Sequence, residues 1–168
     1  MPGSAAAGLC STMKVDLLAI AWNLTSVVVT VVLHSVGTVL IVIERPRLFS
    51  FASHQRKVLR GQLVVTIIVI ELLILHLIEI GFWGLCLSAL GLFNNLRSSL
   101  YFAGMSYTSL GYSGAVTSHG DFSEVLIAMM GLLMFGWSTG ILVTTVIRYE
   151  KVALGWDPAS DRPLKPES

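Results

Sequence analysis

From Leu17 to Ile43 the chain runs 27 residues without a single Asp, Glu, Lys or Arg. About 20 apolar residues in a helix already cross the roughly 30 Å of hydrocarbon in a bilayer. A backbone in lipid must also satisfy its own hydrogen bonds, which leaves the helix as the open choice for one isolated run. The stretch therefore predicts a membrane-spanning helix at 17–43, and it obliges the rest of the chain to fold around such a helix. Two later runs share its character. Gln62 to Phe93 is broken only by Glu71, His76 and Glu79, and Val125 to Ile147 carries no charge. Each central acid disfavours insertion by about 2.5–3.5 kcal/mol, while some twenty apolar residues favour it by about 0.3–0.6 kcal/mol each, so the second run still inserts. A composition of 54% hydrophobic and 12% charged residues, with mean hydropathy +0.77, agrees with an integral membrane protein. A net charge of +1 names no partner through bulk electrostatics, and nothing in the chain resembles a basic surface for nucleic acid.

Charge placement orients the spans. The segment 44–61 holds Arg45, Arg47, Arg56, Lys57 and Arg60 against the single acid Glu44, and short loops so biased stay cytoplasmic. Phe49, Phe51, Val58 and Leu59 interleave with these bases, as in a helix lying on the inner membrane surface. Arg148 and Lys151 come after the third run, so the N-terminus is expected outside and the C-terminus in the cytoplasm, in the cell (inner or plasma) membrane. The opening "MPGSAAAGLCSTMK" lacks the basic start of a secretory signal, and residues 1–16 are expected to be a disordered lead-in. The proline-bearing tail, 149–168, is expected to be disordered too. Cys10 and Cys86 form no metal-ligand spacing. No span repeats arginine at every third position, so a voltage sensor is not expected.

Leu96 to Glu124 must then begin and end on the outer side. Its first part, "LRSSLYFAGMSY", suits a helix of about three turns, roughly 18 Å long and too short to cross. The asparagines of "FNNLRSS" just before it suit a helix cap. The remainder of the segment must return as non-helical backbone, which is tolerated at membrane depth only when buried in protein or lining an aqueous path. A half-helix entering from outside also points the negative end of its dipole at the membrane centre, where it stabilises a cation.

Here "YTSLGYSG", Tyr107 to Gly114, resembles the "TTVGYGD" signature of tetrameric potassium channels. "HLIEIGFWG" before it and "MMGLLMFGWSTGIL" after it look like the flanking helices of small bacterial members of the two-transmembrane ion channel family. The resemblance covers roughly 62–148 and implies a pore domain: outer helix 62–93, pore helix and selectivity filter 96–114, inner helix 125–148. It implies an all-α membrane protein with three transmembrane helices, a re-entrant pore loop and a homotetrameric pore, working as a passive potassium channel and not as an enzyme. Thr108 would precede the filter, Ser109 would supply its inner hydroxyl, and Leu110, Gly111, Tyr112 and Ser113 would come next. Potassium ions would sit at Ser109, Leu110, Gly111 and Tyr112, with no other cofactor. Ser113 stands where the family has its second glycine, and Gly114 where it has an aspartate. That departure keeps open a weakly selective sodium/potassium channel on the same scaffold.

Glu71, His76 and Glu79 fall within about 140° of arc on one helix, and His34 sits midway along the first span. These four are expected to face protein as a buried polar network. Such a network either braces the pore from behind or only satisfies its own members. "HLIE" also has the i, i+3 spacing of helix-borne metal ligands, so a membrane metalloprotein using Glu71, His76 and Glu79 is a further alternative. Gly131, Gly136 and Gly140 on the third span are candidates for a hinge or for close helix packing. Ser138 and Thr139 face either a wet cavity or a neighbouring backbone.

Overall fold

The computed structural model of the chain describes residues 3–50, 57–111, 118–153, 156–157 and 162–163, with side chains for 18–43, 61–111 and 122–147. Helices dominate these residues: α1 (Gly3–Ser50), α2 (Lys57–Ala89), α3 (Leu96–Tyr107) and α4 (Ser118–Ala153). Beyond them, β1 (Trp156–Asp157) pairs antiparallel with β2 (Arg162–Pro163). Three helical stretches are long and apolar enough to span a membrane, Leu18–Ile43, Gly61–Ala89 and Phe122–Ile147. The protein is a multi-pass membrane protein.

The spans lie where the long apolar runs lie, but element ends differ from the expected bounds. Residues 3–16, expected outside regular structure, are helical, consistent with the strong helix formers Ala5, Ala6 and Ala7. Helix also continues through 44–50 and restarts at Lys57, inside the segment expected to be loop. In the expected tail, 149–153 complete α4 and the short strand pair lies beyond it. At the far end α2 stops at Ala89, not at residue 93. The cause is Gly91, whose φ of +68° places it in the left-handed region. The Gly91 and Leu92 amides then donate to the carbonyls of Ser88 and Leu87 at 3.0 and 3.3 Å, closing a Schellman cap.

Along most of α1, burial is inverted relative to a helix of a water-soluble protein. On α1 the stripe facing protein is Asn23, Ser26, Thr30, His34 and Thr38, all buried, while Leu18, Leu24, Val28, Val32 and Val36 are exposed. The hydroxyls are hidden by back-bonding: Ser26 donates to the Trp22 carbonyl at 2.9 Å and Thr30 to the Ser26 carbonyl at 2.8 Å. Small and polar residues between helices with aliphatic residues outward is the arrangement lipid favours, because hydrocarbon gives apolar side chains no reason to turn inward.

The described residues divide into two compact units. The first comprises Met1–His34 and His76–Met134 and holds a core of Trp83, Leu87, Phe102, Tyr107, Ile127 and Met130, among others. In it α3 doubles back along α2. Leu100 lies against Gly84, Gly104 against Ile80, and Tyr107 against His76 and Glu79, so positions rise along one helix as they fall along the other. Asn95 starts α3 by accepting the Ser98 amide hydrogen at 2.8 Å on Oδ1. The second unit comprises Ser35–Leu75 and Phe135–Ser168, where Ile41, Val64, Ile68 and Leu72 form the buried cluster with Leu142 packed against it.

Candidate functional site

Twelve residues carry α3 about 18 Å down α2. Its last residue, Tyr107, therefore stands beside His76 and Glu79, near the middle of the Gly61–Ala89 span. There the helix stops in a second Schellman cap, with Ser109 and Leu110 donating their amide hydrogens to the carbonyls of Ser106 and Met105, each at 2.9 Å. Gly111 donates to the same Met105 carbonyl at 3.3 Å. The left-handed position of this cap is filled by Ser109, at φ +58°, and Gly111 has a φ of +79°. A non-glycine residue there is disfavoured by about 1–2 kcal/mol. The segment from Thr108 to Gly111 is thus irregular backbone, and all four residues are exposed, Leu110 at 73%. Tyr112 and Ser113, the other two expected filter residues, lie outside the described residues, as does Gly114.

Behind this segment four side chains converge. His34 Nδ1 is 2.8 Å from Glu79 Oε1, and His76 Nδ1 is 3.3 Å from Glu79 Oε2 and 3.0 Å from the Tyr107 hydroxyl. The Tyr107 hydroxyl donates to Glu79 Oε2. An ionised carboxylate only accepts, so both imidazoles carry their hydrogen on Nδ1 in this state and three donors meet one acid. His34 and Glu79 are wholly buried and His76 is 6% exposed. An acid inside a bilayer requires such company.

His34, His76 and Glu79 thus come together, but Glu71 does not join them. It is half-buried and belongs to the second unit. At 100° per residue it sits about 140° from His76, on the flank of the α2 stripe that runs through Leu72, His76, Glu79 and Trp83. Tyr107 is the member that sequence reasoning missed. The available signal was a tyrosine closing a short apolar helix, since a buried phenol needs a partner and the nearby span offers an acid.

The three glycines part company as well. A Cβ on Gly131 would overlap the Tyr107 carbonyl oxygen, so α4 meets the end of α3 backbone to backbone. Gly136 and Gly140 have nothing within 4 Å of a Cβ. Ser138 is buried and Thr139 exposed, with the Thr139 hydroxyl donating to the Phe135 carbonyl at 2.8 Å. Compared with known protein families, with curated proteins and with solved structures, the chain finds no match in any of the three.

Proposed function

We propose that this protein is a passive cation channel, selective for potassium, in which four copies surround an axis lined by the segment from Thr108 to Ser113. One observation carries the reading: α3 ends opposite the middle of the α2 span and gives way to irregular backbone that is exposed in a single chain. Bare backbone at that depth is stable in a bilayer only inside protein or against water. Further copies around an aqueous axis supply both at once, and a closed cyclic assembly leaves no copy with an uncovered edge. The C-terminal end of α3 contributes about half a negative charge toward that axis, which favours a cation over an anion. Carbonyl oxygens of the segment then replace the ion's hydration shell, and several sites in a row let neighbouring ions speed one another's exit.

In this reading the protein lies in the cell membrane with its N-terminus outside, and the basic residues at 44–61 remain cytoplasmic. Ser113 in place of glycine favours the second reading, a weakly selective sodium/potassium pore on the same scaffold. Purified protein in liposomes with a potassium gradient decides whether it conducts, and reversal potentials under opposed potassium and sodium gradients decide selectivity. Flux is expected from the wild-type protein and is expected to vanish on Gly111→Val. Wild-type protein that reconstitutes without flux overturns the proposal, as does flux unchanged by Gly111→Val.

A further inference from the structure

We propose that His34, His76 and Glu79 form a binding site for one divalent transition-metal ion of the zinc or cobalt class, with Tyr107 as its outer hydrogen-bond partner. The site is independent of the channel reading, since every ligand comes from one chain. Two imidazoles and a carboxylate offer donor atoms that all lie within 4.8 Å of one another, each almost wholly buried. This is a ligand set that zinc takes readily, and it contains no thiolate. His34 comes from α1, while His76 and Glu79 lie one turn apart on α2, so a bound ion ties the two helices together.

The convergence of these atoms on one point suits an ion as well as it suits hydrogen bonds. Both histidines turn the same ring atom, Nδ1, toward one carboxylate, and His76 Nδ1 is shared between Glu79 Oε2 at 3.3 Å and the Tyr107 hydroxyl at 3.0 Å. A single hydrogen serves two such acceptors poorly. An ion instead uses one lone pair from each convergent atom. Ligand atoms about 2.0–2.2 Å from a tetrahedral ion stand roughly 3.4 Å apart. The His34–Glu79 pair, now 2.8 Å apart, needs to open by about half an ångström, within reach of side-chain rotation.

On binding, the hydrogen on each Nδ1 moves to Nε2, the ion sheds three waters for three ligands, and no electron changes hands. Tyr107 keeps its hydrogen bond to the Glu79 carboxylate and fixes that ligand's orientation. Because the ligands are buried, the ion enters as the helices pack, and loading belongs in the expression step.

Cells are grown in zinc-supplemented medium, and the detergent-purified protein is analysed for metal content. One zinc per chain is expected. Cobalt-loaded protein is expected to show visible d–d absorption without a thiolate charge-transfer band. His34→Gln removes stoichiometric metal, whereas Tyr107→Phe keeps one ion per chain and weakens binding about 10–100-fold. His54→Ala with His119→Ala, at histidines outside the described side chains, leaves the content unchanged. Folded wild-type protein without stoichiometric metal overturns the proposal, and so does full metal content in folded His34→Gln. If His34→Gln fails to fold, X-ray absorption at the zinc edge of the wild-type protein decides, and a first shell lacking two imidazoles overturns the site.

Discussion

At Tyr107 a carbonyl oxygen touches α4, a hydroxyl reaches a buried acid on α2, and the next residue leaves the helix. Little at this point tolerates added volume. A methyl group on Gly131 would collide with the Tyr107 carbonyl, and backbone cannot rotate out of the way as a side chain can. Gly131→Ala is therefore expected to destabilise the protein by about 3 kcal/mol, the upper end of ordinary overpacking. Thermal unfolding in detergent measures it, and a melting temperature equal to wild type would sink the packing assignment. Gly136→Ala, with open space around its Cβ in the interior of α4, is the control that does not lower the stability of a single chain.

Among the elements, α3 is held at both ends by local devices whose contributions separate cleanly. Asn95→Ala removes the side-chain acceptor of the Ser98 amide and is expected to destabilise the first turn by about 1 kcal/mol. Ser109→Gly relieves a side chain from the left-handed region and is expected to stabilise by about 1 kcal/mol. Opposite shifts in melting temperature check the pair, and a destabilising Ser109→Gly would show that the hydroxyl contributes more than the backbone strain removes. His34 and Glu79 form one buried polar link between α1 and α2. His34→Leu leaves the acid short of a donor and is expected to destabilise by about 3 kcal/mol, whereas His34→Leu with Glu79→Leu recovers part of the loss, with His76 and Tyr107 left to pair with each other. Equal melting temperatures for the single and double variants, measured in chelator, would mean that the pair is not coupled. Elements were the scale most legible beforehand: the twelve residues of "LRSSLYFAGMSY" are α3, because Asn95 starts the helix by local chemistry. Unread, though readable, was the series Asn23, Ser26, Thr30, His34 and Thr38, whose spacing of three and four marks the buried face of α1.

For the whole molecule, the exposed residues from Thr108 to Gly111 set the assembly problem. If irregular backbone at mid-span depth is covered by further copies, native mass spectrometry from mild detergent is expected to give four chains per particle. A stable monomer that still partitions into bilayers would refute the fourfold arrangement. The three spans were legible in sequence alone, because membrane insertion depends on the composition of a contiguous run and is nearly indifferent to what lies beside it. The company that His34, His76, Glu79 and Tyr107 keep was a different kind of fact. It depends on how far each helix is turned about its own axis and on where a short helix ends along a long one. Only packing sets those two quantities: it drew Tyr107 in, left Glu71 outside the cluster, and made Gly131 the contact among three glycines that look alike in sequence.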